Sequence, residues 1–348
     1  MTQKLPDIIV TNLHRRYTGV SATIAALVPL QQKVEDIGVL DQGDLGLSNT
    51  LHIRQVMFGG WSKPKQGKWR IWHARRDVEM LLGLFLRDIL RQPWKLVFTS
   101  AAPRRHNKTL RGIINGMDAI ISTSPRAAEF LDWHTTIVTH GVDTDQFVPA
   151  PDKLALHKEL KLPAKHSIGV FGRIRTSKGT DVFVDAMVKV LPDFPEFSAF
   201  ITGECKTSDA DYLADMKAKI AKAGLEDRIL FLGDTKMDDV HLLYQAATLC
   251  VAASRQEGFG LTPMEAMASG TAVLTSQAGY WPWLVKAGET GQICETGDVD
   301  DMARILRDML SDPDRLVKMG QNGREHMVES HSIAAEVAGI QALYETLR

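Results

Sequence analysis

Two acids stand eight residues apart in RQEGFGLTPMEAMASG, residues 255 to 270. Glu257 lies in a glycine-flanked loop and Glu265 at the head of the apolar segment that follows. A carboxylate is costly to bury without a partner, and the hydroxyls of a polyol ligand are suitable partners. Gly258 and Gly260 add no side chain that would keep such a ligand from the backbone N–H groups. Upstream, IGVFGRIRTSKGTDVFVDAM reads as a strand, a glycine turn, a loop with Arg173 and Lys178, and a helix entered through Gly179, Thr180 and Asp181. Fixed cations beside free backbone N–H groups suit a diphosphate. The same residues also fit an ordinary solvated loop. The pattern GxxxxGK[ST] is absent, which excludes a P-loop. Glu265 has two readings as well. Thr262-Pro263-Met264-Glu265 fits a helix start with Thr at the N-cap, Pro at N1 and Glu at N3, so Glu265 can close a capping box or face a ligand. Gly270 stands where a C-terminal cap belongs.

The elements that must position these residues form two series. DIIVTNL, TLHIRQVMF, WRIWHA, KLVFTS, DAIISTS and TTIVTHG read as strands. Between the third and fourth, Asp77 to Arg91 repeats apolar residues at helical spacing: Met80, Leu81, Leu84, Phe85 and Ile89. Around FVPAPDKLALHKELKLPAKH the pattern loosens into proline and charge. HSIGVFG, FSAFITG, RILFLG, ATLCVAAS, TAVLTS and GQICE then form a second set of strands, separated by helical stretches such as DYLADMKAKIAKAGL. Alternation of this kind predicts parallel sheets covered by helices, hence an α/β chain. The expected organisation is an N-terminal domain over 1–155, a second over 156–330, and a closing amphipathic helix over 331–348 that packs back on the first. Two such domains in tandem would leave a ligand cleft at their strand ends.

At 348 residues the chain suits two domains, and 44% hydrophobic with 24% charged residues gives no case for disorder. No apolar run is long enough for a membrane span, and MTQKLPDIIVTNL reads as a strand entry, not a signal peptide. Cys205, Cys250 and Cys294 lack CxxC spacing, which predicts free thiols in a reducing cytosol and no zinc site. The net charge of −1 hides an asymmetry: residues 1–150 carry 19 Lys+Arg against 13 Asp+Glu, and the remainder 22 against 29. A basic first half fits an anionic partner, a phosphorylated substrate or a membrane surface, and equally an ordinary solvated surface.

The pair Glu257 and Glu265 resembles the E-x7-E pattern of retaining glycosyltransferases of family four, written EGFGLTPMEAMASGTAV in this chain. GRIRTSKG looks like that family's diphosphate loop and THGVDTDQF like its interdomain segment. The resemblance covers nearly the whole chain and is most specific from Gly169 to Thr275. It implies a GT-B fold of two Rossmann-like domains, a nucleotide-sugar donor held mainly by the second, and no metal or other cofactor. By position, Arg173 and Lys178 would bind the diphosphate, Glu265 the ribose hydroxyls and Glu257 the transferred sugar. Gly258, Phe259, Gly260 and Leu261 would complete the donor site, with Gly19, ahead of the first helix, facing the diphosphate. GxGxxG is missing, which counts against a dinucleotide-binding dehydrogenase.

His73 sits at a strand end where the family often carries histidine, and a core histidine fits the same position. After KLVFTS, where many relatives place a histidine at the sugar site, this chain has Ser100 or Ala101. His106 is one alternative there, and a different contact is another. HRRYTGVSATI, WHARRDVEM and FTSAAPRRHNKT resemble lipopolysaccharide-core mannosyltransferases of α-proteobacteria. This implies mannose transfer from GDP-mannose to an anionic Kdo-bearing lipid A precursor. Arg15, Arg16, Arg75, Arg76, Arg104 and Arg105, together with His73, would face that acceptor. The setting implied is cytoplasmic, with peripheral contact to the inner membrane and no nucleic-acid partner. Another nucleotide-hexose (UDP- or ADP-linked) with another acceptor is the alternative, and a non-enzymatic sugar- or nucleotide-binding protein a further one.

Overall fold

The computed structural model describes residues 4–16, 18–101, 104–236 and 239–348. Contacts divide them into two units: the chain up to His140 together with Ile333–Arg348, and Gly141–Ser332. The first sheet contains β1 (Ile8–Asn12), β2 (Ile37–Asp41), β3 (Thr50–Leu51), β4 (Arg70–Ala74), β5 (Trp94–Ser100), β6 (Ala119–Ser122) and β7 (Thr136–Ile137), in the order β3-β2-β1-β4-β5-β6-β7. The second contains β8 (His166–Phe171), β9 (Phe197–Thr202), β10 (Ile229–Gly233), β11 (Leu249–Ala252), β12 (Ala272–Thr275) and β13 (Gly291–Ile293), in the order β10-β9-β8-β11-β12-β13. Neighbouring strands pair in parallel throughout both sheets. Each sheet reverses its strand order once, between β1 and β4 in the first and between β8 and β11 in the second. Such a switch point opens a crevice at the strand C-termini, where doubly wound sheets bind ligands.

The strands form where the sequence is apolar on both faces. β1, β4, β9 and β11 are buried along their whole length, as a sheet covered on both sides requires. TLHIRQVMF departs from its reading as one strand. Only Thr50 and Leu51 pair, and Ile53–Gly59 is a helix. The side chain of Gln55 turns back to accept the His52 N–H at 2.7 Å, and this local cap outweighs the β-branched run. The helix Asp77–Leu84 runs on into a π turn, Phe85–Ile89, in which the Leu90 N–H bonds the Phe85 carbonyl at 3.0 Å.

The proline-rich stretch after residue 147 lies with the second unit, so the division falls at Gly141, ahead of the loosening in sequence. Lys153 is the tie: its Nζ donates to the Ala247 carbonyl at 2.5 Å, and burial lowers its pKa to about 8. Arg324 donates to the carbonyls of Thr144 and Phe147 at 2.9 and 2.7 Å. The last helix, Ile333–Leu347, belongs to the first unit, where Ile333, Val337, Ile340 and Tyr344 share a core with Ile24, Leu27 and Val28. The three cysteines are free.

Candidate functional site

In the second unit the two chemistry-bearing loops leave the strands on either side of the switch point. The loop after β8 carries Arg173 and Lys178, and the loop after β11 carries Glu257. Topology therefore brings together residues 79 apart in sequence: Lys178 Nζ lies 2.6 Å from Glu257 Oε2. The ammonium is 23% exposed and the carboxylate 18%, so the pair is shielded but still open to a ligand. Ser254 Oγ donates to the same Oε2 at 3.2 Å. Arg173 is exposed and makes no ion pair among the described residues.

Close backbone approaches fix these loops. Gly179 has φ +68°, and a Cβ there would lie 2.0 Å from the Ala253 carbonyl oxygen, so the loop ending in Lys178 can seat on β11 only with glycine at that point. At Gly260, φ is +87° and a Cβ would meet Trp281 Nε1 at 2.5 Å; that indole N–H donates to the Gly260 carbonyl at 2.9 Å. Gly258 is exposed, with no atom within 4 Å of where its Cβ would stand. Phe259 is buried and stacks on Tyr280 with ring centroids 4.8 Å apart, so it offers its backbone rather than its ring to the open side. Leu261 precedes the helix Thr262–Ala268 and is half-buried.

The capping-box reading of Glu265 is corrected. The helix begins at Thr262 with Leu261 as its cap, no side chain caps it, and Glu265 sits one position beyond N3. The Glu265 carboxylate instead accepts the Tyr244 hydroxyl at 2.6 Å. Tyr244 is buried and lies flat on Phe171 at 3.8 Å. Burial raises the Glu265 pKa, and the Tyr244 hydrogen bond opposes that rise. Gly270, at φ +72°, does end this helix.

Sequence reasoning missed Arg255. Its two terminal nitrogens donate to the two Asp181 oxygens at 2.7 and 2.8 Å, and Nη1 also reaches the Thr176 carbonyl at 2.7 Å. Tyr212 donates to Asp181 Oδ1 at 2.6 Å. Burial works to raise the Asp181 pKa, but the Arg255 and Tyr212 hydrogen bonds overcome it and hold the carboxyl below its ordinary value. The fork ties the loop bearing Lys178 to the loop bearing Glu257. Its sequence signal, one arginine two residues ahead of the acid, is too common to have found it.

In the first unit the switch point gathers a different set. Gly19 is exposed at the start of the helix Gly19–Gln31, behind the N-cap Thr18, and Arg15 and Arg16 are exposed in the loop before it. Arg76 is turned inward. It pairs with Glu79 at 3.1 Å and donates to Asn12 Oδ1 and Thr18 Oγ1, each at 2.9 Å. Arg75 donates to Thr23 Oγ1 at 3.1 Å. These two arginines brace strand ends, which differs from the expected acceptor contact.

His73 takes the core role. It is fully buried, with Nδ1 2.6 Å from the Tyr344 hydroxyl and Nε2 2.7 Å from Thr99 Oγ1. Burial, then the nearby Arg75, puts its pKa well below the ordinary histidine value, and no ring nitrogen is left for a ligand. His106 is half-buried, with Nε2 3.5 Å from Ser100 Oγ, and burial followed by Arg104 lowers its pKa. Arg104 and Arg105 are exposed beside it.

Residues 152–326 match the family described as glycosyl transferases group 1. The chain is 41% identical over 345 residues to the lipopolysaccharide core biosynthesis mannosyltransferase LpcC of Rhizobium leguminosarum bv. viciae, covering 98% of this chain and 96% of that one. The C-terminal domain of a glycosyl transferase group 1 family protein (LpcC) from Francisella tularensis superposes with a TM-score of 0.54 at 35% identity, over 55% of this chain and 99% of that one. Anabaena HepE, solved in complex with UDP and glucose, superposes with a TM-score of 0.75 over 98% of both chains at 19% identity, a likeness of fold alone. With two parallel Rossmann-like sheets and these matches, the chain belongs to the group 1 glycosyl transferases and has the GT-B fold.

Proposed function

We propose that the protein moves mannose from GDP-mannose onto an anionic, Kdo-bearing inner-core saccharide of a lipopolysaccharide precursor, with retention at the anomeric carbon and without a metal ion. The pairing of Lys178 and Glu257 at the switch point carries the transferase chemistry. That the 41% identical relative is a lipopolysaccharide core biosynthesis mannosyltransferase supports mannose and the lipopolysaccharide core.

Cleavage of the bond from the anomeric carbon to the diphosphate oxygen leaves cationic character on the sugar and negative charge on the leaving group. Lys178 and the exposed Arg173 stabilise that charge electrostatically. Glu257 accepts hydrogen bonds from the sugar hydroxyls, and Glu265 accepts them from the ribose. The acceptor hydroxyl forms its new bond on the face the diphosphate leaves, and its proton passes to the departing phosphate oxygen. Arg15, Arg16, Arg104 and Arg105 supply the cationic surface of the first unit toward an anionic acceptor.

Calorimetry with GDP, UDP and ADP sugars, followed by incubation with a Kdo-bearing lipid acceptor, tests the reading. GDP-selective binding and an α-mannosyl product, formed equally with and without a chelator, are expected. A UDP or ADP preference would overturn the donor assignment. Tight nucleotide binding with neither transfer nor donor hydrolysis would overturn the enzyme reading.

A further inference from the structure

The helix Asp77–Leu84 with its π turn Phe85–Ile89 is apolar on both sides. Met80, Gly83 and Leu86 are buried against the sheet, as a covering helix requires. Val78, Leu81, Phe85 and Ile89 point outward, with Val78 59% and Ile89 67% exposed. Their spacing of three, four and four residues puts them in one stripe along the helix. The stripe continues onto a second element. Trp61 Nε1 donates to the Leu90 carbonyl at 3.0 Å, which seats the indole at the end of the π turn. Phe58, 81% exposed, lies three residues before it in the chain. Scattered surface apolar residues are normal, but six large ones on two adjoining elements mark an interaction surface.

Charge says what covers it. Between residues 53 and 95 the exposed cations are Arg54, Lys63, Lys65, Lys68 and Arg91, against two exposed acids, Asp77 and Asp88. Arg54 sits one turn before Phe58 on the same helix, and Arg91 follows the stripe directly; both are exposed. At the edge Trp69 is itself 40% exposed, and Lys95 Nζ, paired with Asp118 at 2.8 Å, lies 5.4 Å over its ring. Apolar side chains to insert, indoles to sit at the boundary and cations around them match the interface of an anionic lipid bilayer. Among the described residues no helix is long and apolar enough to cross a membrane, so the surface lies on a bilayer and does not span it.

We propose that this face of the first unit, centred on Leu81, Phe85 and Ile89, docks the enzyme on an anionic membrane surface. The proposal does not rest on the donor or acceptor assigned above. It is tested on the full chain by flotation with vesicles of phosphatidylcholine alone and of phosphatidylcholine with 30% phosphatidylglycerol. The wild type should bind the anionic vesicles at least tenfold more tightly, with the difference shrinking in high salt. Leu81→Ser/Phe85→Ser/Ile89→Ser should lose at least tenfold in vesicle affinity while its melting temperature and GDP affinity stay those of the wild type. Arg54→Gln/Arg91→Gln should lose the preference for anionic lipid and keep its fold. Equal binding of wild type and the triple serine variant would overturn the proposal. So would a wild-type dimer in sedimentation that the triple variant dissociates, since a second copy would then cover the face.

Discussion

Replacing Glu257 by Gln preserves shape and removes the charge that holds Lys178, and the two halves of the site should respond in opposite directions. Lys178 Nζ is 2.6 Å from Glu257, and both side chains are roughly a fifth exposed. A donor diphosphate must draw on the same ammonium. The pair is more shielded than a surface ion pair, worth ~0.2–1 kcal/mol, and less buried than one whose disruption costs ~3–5 kcal/mol. An intermediate value of about 1 kcal/mol is reasonable, and Glu257→Gln should therefore tighten free GDP by roughly 3- to 10-fold. Turnover should fall by about 100-fold or more, because the sugar loses its charged acceptor of hydrogen bonds. Calorimetry on GDP and a steady-state transfer assay measure the two effects, and Lys178→Gln in the same background should remove the gain. Unchanged or weaker GDP binding in Glu257→Gln would refute the competition, because Glu257 would then be positioning Lys178 for the phosphate.

Arg255→Met and Asp181→Asn each break the bidentate fork and should each lower kcat/KM by roughly tenfold, since a charge-assisted pair of this exposure is worth about 1–2 kcal/mol; the double variant should be little worse than either single one, and additive losses would show that the fork does not act as a unit. Tyr244→Phe removes a hydrogen bond that opposes the upward shift of Glu265, so its carboxyl should titrate higher and GDP binding should begin to weaken at a higher pH than in the wild type as the solution is acidified; superimposable pH profiles of calorimetric affinity would contradict this. Burial, with His326 and Lys286 nearby, takes the His331 pKa down to about 4. An unfolded chain near 6.5 binds that proton first, so stability present above pH 6.5 should decline as pH falls toward 4, by about 3 kcal/mol from this group. His331→Gln should flatten the fall of melting temperature across that window, and an unchanged slope would exclude His331 as its source.

What could be read from the sequence was whatever the chain writes locally. β8, β9 and β12 are short apolar runs bounded by turns, because strands covered on both faces need no alternation. Glu257 stands out because an acid in a glycine-flanked loop after such a strand is costly to bury without a partner, whereas Arg173 and Lys178 alone fit a solvated loop equally well. Pairings between distant segments were not legible. Arg255 meets Asp181 across 74 residues, and His73 meets Tyr344 across 271, so neither sequence neighbourhood shows that the side chain is already taken. IGVLD, which forms β2, lies outside the segments whose pattern reads as strand. The segment after Leu51 misled because β-branched residues suggest a strand, whereas one Gln55 side-chain bond starts a helix. Helical spacing at Asp77 to Arg91 was legible, but spacing alone did not say which side of that helix faces the sheet.

The last helix adds a consequence for how the protein is made. The second unit is one continuous stretch, and all of its residues emerge from the ribosome ahead of the helix Ile333–Leu347. The first unit, begun earlier, lacks the helix that carries Tyr344 until the whole second unit has been made. Until then His73 has no Tyr344 hydroxyl, and Ile24 and Leu27 lack part of their apolar cover. The usual order of co-translational folding, N-terminal part first, is thereby inverted at its last step. A fragment ending near residue 140 would expose that seam permanently, whereas one that grafts Ile333–Arg348 onto its end would close it.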